Sequence, residues 1–153
     1  MSVSRKQQDE SRLEWLGKRL EEAGATLLAL PQRGMGPQLR QVRWPETAQE
    51  KSENTRAGAT ISARLRAPAP SATEISRMDE TYGWIGLIPQ ERVVLRRIVH
   101  ARSLVSPLTG RHIYSWRKVG TLLGTDHRAI QRWHLDGLWV ILDELQKLGK
   151  IAC

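Results

Sequence analysis

Leu13, Leu16, Leu20, Ala23 and Leu27 recur at steps of three and four residues, with Arg12, Glu14, Lys18, Arg19, Glu21 and Glu22 set between them. An apolar row at that spacing runs along one side of an α-helix, so the pattern predicts an N-terminal amphipathic helix over residues 1–30, stopped by Pro31. Most such rows face the interior of their own domain, which favours packing within the chain; pairing of the rows of two chains, as in a homo-oligomer, is the alternative. Gly34, Gly36 and Pro37 break the periodicity, and from Gln38 to Arg66 the sizeable apolar residues are only Leu39, Val42, Trp44, Ile61 and Leu65. Residues 31–70 therefore read as a Gly- and Pro-containing flexible connector, with one short helix after Pro45. Trp44 in this stretch either anchors the connector to the domain or lies at a partner surface. Pro68 and Pro70 stiffen its end.

A denser pattern follows over residues 71–153. Ser71-Ala72-Thr73-Glu74 has the form of a capping box, in which a hydroxyl and a carboxylate satisfy each other's free backbone donors at a helix start. It predicts a helix from Ala72 to Leu87 with Ile75, Met78, Tyr82 and Ile85 on one face. Pro89 suits the opening turn of a second helix, whose apolar face is predicted as Val94, Ile98 and Ala101 and which ends near Leu104. Pro107 to His112, with Thr109-Gly110, reads as a loop.

Ser115 can then cap a short helix from Trp116 to Leu123, ended by Gly124 in the left-handed conformation. Thr125 is the predicted cap of a further helix starting at Asp126. Two helices joined by so tight a turn need a small residue where they approach, and Gly120 supplies it. The spacing turns Val119 and Leu123 inward from the first helix and Ile130 and Trp133 from the second, forming the core of a helix-turn-helix. Leu138, Ile141, Leu142, Leu145 and Leu148 hold helical spacing up to Gly149, so the second helix is expected to continue through Gly137, at a cost of about 1 kcal/mol. Trp15, Trp84 and Trp139 are expected in the core. The fold class is all-α: a small helical domain over residues 71–153 with a long C-terminal helix, plus the N-terminal helix.

Charge sharpens this picture. The formal net charge is +8. From Arg92 to the end there are eleven Lys/Arg against four Asp/Glu, which leaves almost no excess in residues 1–91. A polyanion-binding half joined to a nearly neutral half fits that asymmetry, since neutralising phosphates supplies much of the affinity for nucleic acid. Asp126, His127, Arg128, Gln131 and Arg132 remain on the outer face of the second motif helix. Arg can donate a bidentate pair to guanine and Gln to adenine, each good pair discriminating by about 1–3 kcal/mol. His127, Arg128, Gln131 and Arg132 are thus the candidate base contacts, and Arg111, His112, Ser115, Arg117, Lys118 and Thr125 the candidate phosphate contacts. Arg132 has a competing partner in Asp136 one turn on, and His127 in Asp126 beside it.

The stretch Ile88-Pro89-Gln90-Glu91-Arg92-Val93-Val94-Leu95-Arg96, followed by Ser115-Trp116-Arg117-Lys118-Val119-Gly120-Thr121-Leu122-Leu123-Gly124-Thr125, resembles the fourth region of bacterial sigma factors, which reads promoter DNA. The span from about Ser71 to the C-terminus also resembles a phage and prophage family of unknown function, in which a Pro-rich segment, a Met/Leu-Asp helix with a Trp and a Trp-Arg helix-turn-helix follow one another. The resemblance implies that Trp116, Arg117 and Lys118 lie near DNA phosphate and Arg128 and Arg132 near bases. The sequence departs from sigma factors in a longer loop over Ser106 to His112 and in having no promoter-melting region before it.

Other chemistry finds little footing. The four His are not paired with Cys or carboxylates at metal-ligand spacing, no Gly-rich phosphate loop occurs, and no Ser or Cys sits in a nucleophile motif. The expected protein is not an enzyme and uses no metal or cofactor. Cys153 is the single cysteine, the N-terminus lacks the apolar core of a signal peptide, and no apolar stretch reaches membrane-spanning length. A cytoplasmic, nucleoid-associated protein of a bacterial host cell is expected, with double-stranded DNA as partner and no membrane. The functional expectation is sequence-selective DNA binding by a phage- or prophage-type transcription regulator. Two alternatives keep parts of it: a small terminase-like DNA-recognition subunit working with a large terminase in genome packaging, and a non-catalytic adaptor that binds RNA polymerase or another protein.

Overall fold

Helix α1 runs from Ser2 to Ala29 in the computed structural model, which describes residues 2–31 and 67–151. Most of the predicted connector over 31–70, including Trp44 and the short helix expected after Pro45, lies outside the described residues, as does Cys153. Among the described residues four more α-helices follow: α2 (Ala72–Ile85), α3 (Val93–Ser103), α4 (Trp116–Leu123) and α5 (His127–Lys147). The described residues contain no β-strand, only an isolated antiparallel bridge between Val105 and His112 that closes the loop before α4. The chain is an all-α protein, and no helix among the described residues is long and apolar enough to cross a membrane.

Local signals set most of the boundaries. At the start of α2, Ser71 Oγ accepts from the Glu74 N–H at 3.3 Å while Glu74 Oε2 accepts from the Ser71 N–H at 2.7 Å, the reciprocal capping box. The hydrogen bonds that the Ser71 N–H and then the Ser71 hydroxyl donate to the Glu74 carboxylate hold it below its ordinary pKa. After α2, Arg96 reaches back to the Ile88 carbonyl (2.6 Å) and the Gly86 carbonyl (3.0 Å), so this cation is engaged in tying the chain reversal together. Pro89 precedes a single 3-10 turn over Gln90–Arg92, and α3 starts only at Val93. At its far end α5 closes at Lys147, where Gly149 adopts φ +67° and the Lys150 N–H bonds the Leu145 carbonyl. Leu148, predicted to continue the apolar row, is the C-cap residue there and is exposed.

Two apolar clusters hold the helices together. The larger joins Leu16 and Leu20 of α1, Trp84 and Ile85 of α2, Ile88, Val99 of α3, and Leu138, Ile141, Leu142 and Leu145 of α5. The smaller has only Ile98, Val119 and Ile130 fully inside, ringed by Ala101, Tyr114, Trp116, Leu123 and Trp133. Adjacent residues of α3 thus serve different clusters, Ile98 one and Val99 the other. Val94, predicted on the inner face, is 39% exposed, and Leu95 packs against the larger cluster instead. The α1 row packs within the chain, and Gly24 lies so close to the end of α3 that a Cβ there would run into the Ser103 carbonyl. Gly137 is needed for the same reason inside α5, since a Cβ would stand 2.7 Å from Val99 Cγ2. Of the Trp residues expected in the core, Trp84 is buried; Trp15 and Trp139 lie at its edge, 41% and 40% exposed, because they flank the apolar rows of α1 and α5 rather than occupying them.

Candidate nucleic-acid interface

Helices α4 and α5 are joined by a three-residue turn, Gly124 to Asp126, and each boundary has a local cause. Ser115 Oγ accepts from the Lys118 N–H at 3.2 Å and caps α4. Gly124 sits at φ +64°, ψ +31°, a conformation that costs any side-chain-bearing residue, and the next N–H, of Thr125, bonds the Gly120 carbonyl at 2.9 Å. Gly120 is buried at the closest approach: a Cβ there would stand 2.6 Å from the Thr125 carbonyl oxygen. The cap of α5 is Asp126, not the predicted Thr125. Asp126 has the extended backbone of a cap and its Oδ2 accepts from the Arg128 N–H at 3.0 Å, whereas Thr125 is half-buried and points its hydroxyl back to the Leu123 carbonyl. Val119 and Ile130 meet in the small cluster with Leu123 and Trp133 against them, so the opposite side of α5 is left to solvent.

On that side Arg128, Gln131 and Arg132 are exposed, and together with Asp126 and Leu135 they line one shallow, open concavity. Among the described residues no ion pair engages Arg117, Arg128 or Arg132, and Asp136 does not take Arg132. His127 is half-buried, with Nδ1 3.2 Å from Asp126 Oδ1. On α4, Arg117 and Lys118 are exposed, the Lys118 ammonium lying 4.9 Å from the Tyr114 ring centroid. Arg111 is exposed in the preceding loop, and the Ser115 hydroxyl is taken up by its cap.

Beneath this face runs a polar seam between α1 and the other helices. The Arg102 guanidinium lies 3.9 Å over the Trp116 ring, its Nη1 donates to the Tyr114 carbonyl at 2.7 Å, and its Nε is buried with no hydrogen-bond partner among the described residues. His112, a candidate phosphate contact by sequence, is instead half-buried in this seam. Its Nδ1 donates to the Arg102 carbonyl at 2.9 Å and its Nε2 lies 3.4 Å from Glu21 Oε1. Trp116, expected near phosphate, is likewise turned inward, with the His134 ring edge-on at 5.1 Å. Burial, and then the Arg102 and His112 charges, push the His134 pKa down to about 4, so this imidazole is neutral in the folded chain at pH 7.

Sequence reasoning passed over Arg102, His134 and Leu135. The partners of Arg102 lie twelve and fourteen residues on, across a loop, where no local period points to them. Leu135 is different: three residues beyond Arg132 and seven beyond Arg128, it falls on the stripe that the helical period had already selected. A family model described as Domain of unknown function (DUF6362) matches residues 29–141 of the chain. No curated protein and no solved structure matches it.

Proposed function

We propose that this chain, which belongs to the DUF6362 family, binds double-stranded DNA sequence-selectively through a helix-turn-helix formed by α4 and α5, as a regulator of transcription. One observation carries the reading: the first two turns of α5 present Arg128, Gln131 and Arg132 to solvent, the two arginines without ion-pair partners among the described residues, while Ile130 fixes the other side of the same turns in the core. Cations left unpaired on a helix whose orientation is locked suit a polyanion, because each is free to exchange a counterion for a phosphate or a base edge. Arg128, Gln131 and Arg132 read bases in the major groove, and Arg111, Arg117 and Lys118 bind the flanking phosphates. The resemblance of Ile88–Arg96 and Ser115–Thr125 to the promoter-reading region of sigma factors, read from the sequence, supports transcription as the process served.

The test is selection of bound duplexes from a random pool, followed by titration of the selected site at several salt concentrations. Affinity is expected to fall steeply between about 50 and 200 mM salt. Arg128→Ala and Arg132→Ala relax the sequence preference, and Lys118→Ala weakens all sequences alike while lowering the salt slope by about one. Equal affinity of the doubly substituted Arg128→Ala, Arg132→Ala protein and the wild type would overturn the proposal in favour of a protein-binding adaptor.

A further inference from the structure

The reading face is not uniformly polar. Leu135 is 46% exposed in the middle of α5, on a helix that buries Leu138, Ile141, Leu142 and Leu145 efficiently further along. It shares one concavity with Asp126, Arg128, Gln131 and Arg132, the groups that supply hydrogen bonds. Residues 128, 131, 132 and 135 form one stripe, and seven residues at 1.5 Å each span about 10 Å along the axis. That is about three base-pair steps of duplex at 3.4 Å each. Of the four bases only thymine offers an apolar group in the major groove, its 5-methyl, and apolar side chains contact it there. The Asp126 carboxylate at the opposite end of the stripe is held by the Arg128 N–H and His127, which puts a negative charge where a phosphate would otherwise approach the helix start. The stripe is therefore built to face base edges rather than the sugar-phosphate backbone.

Resting on the DNA-binding reading above, we infer that Leu135 is a specificity-determining residue that packs against the 5-methyl group of a thymine within about three base pairs of the base read by Arg128. The substrate class is accordingly a duplex in which the guanine- and adenine-type contacts of Arg128, Gln131 and Arg132 are followed by a thymine.

The experiment replaces each thymine of the selected site in turn by deoxyuridine, which keeps the pairing and the charge and removes one methyl group. Wild-type protein is expected to lose about fourfold in affinity at one such position, the weight of burying a single methyl group. Leu135→Ala is expected to bind the thymine and uracil duplexes equally, with an affinity close to that of wild type for the uracil duplex, while Lys118→Ala keeps the wild-type discrimination. Leu135 is exposed, so Leu135→Ala retains the fold, and its thermal melt serves as the control. Wild type that binds the site but accepts uracil at every position overturns this inference and leaves DNA binding standing. Discrimination that survives in Leu135→Ala overturns it in the same way. A chain that binds no duplex overturns the DNA reading and this inference with it.

Discussion

The α1–α2 side of the molecule and the α4–α5 turn dispose of their cations in opposite ways. Where α1 meets α2, cations have partners: Arg19 lies 3.8 Å from Glu80, and Arg77 lies 3.5 Å from Glu22. Around the α4–α5 turn, Arg117, Arg128 and Arg132 have none among the described residues. The interiors differ in the same sense. Ten buried residues support the first side, and three, Ile98, Val119 and Ile130, support the second. The first region is held by area and neutralised by its own acids. The second is held by a few close fits, two glycines and two caps, and leaves its charge for something outside. Net charge and pairing thus point the same way: the region with excess cations is also the one that leaves them unpaired among the described residues.

The comparison can be broken most severely at Gly120. A side chain there meets the Thr125 backbone, which cannot yield as a flexible side chain would. Gly120→Val is expected to cost about 3 kcal/mol in urea unfolding. Hydrogen exchange is expected to quicken at the amides of α4 while those of Ile141, Leu142 and Leu145 stay protected, and duplex affinity is expected to fall at least tenfold. Uniform exchange across both regions would show that they do not separate energetically.

A pH titration probes the seam between them. Unfolded, His134 takes up its proton near the ordinary 6.5; folded, it does so at about 4. Between those values the unfolded chain binds more protons, so stability is full above about pH 6.5 and falls as pH drops toward 4, by up to roughly 3 kcal/mol. His134→Leu is expected to flatten that part of the stability–pH curve.

Smaller still is the expected effect of Arg102→Met, about 1–2 kcal/mol. It removes the stack on Trp116 and the hydrogen bond to the Tyr114 carbonyl, and it also relieves a donor without a partner. Arg102→Lys is not expected to rescue, because an ammonium cannot lie flat on the indole and donate to the carbonyl at once. At the lower limit, Arg77→Ala on the paired side is expected to change stability by less than about 0.5 kcal/mol, with duplex affinity unchanged in anisotropy titrations. Arg117→Ala, also exposed but without an ion-pair partner among the described residues, is expected to leave stability alone and reduce affinity for every sequence.

What was legible in the sequence is what short-range rules decide. Ser71 with Glu74, Ser115, Gly120 and Gly124 announced helix ends and a tight turn because each answers to partners within a few residues. The outward row of Arg128, Gln131 and Arg132 followed from the period that buries Ile130. What was not legible depended on contacts across many residues. His112 looked like a free phosphate contact in a loop until α1 supplied Glu21 beside it, and Val94 looked buried until α3 turned Leu95 toward the larger cluster. The cap of α5 passed from Thr125 to Asp126 because both are good caps and only the turn geometry chooses between them.

Helix α5 continues without interruption from His127 to Lys147, 21 residues, or about 31 Å at 1.5 Å each. Its first turns carry the exposed cations and its last turns floor the main interior, so both are stretches of a single stiff lever with no hinge between. A partner seated on the first turns meets a surface whose aim is already fixed, and little orientational freedom remains to be lost on docking. On the proposed DNA reading, any bending needed to improve the fit falls to the duplex, so sites that deform easily are expected to gain an advantage even at base pairs the protein never touches.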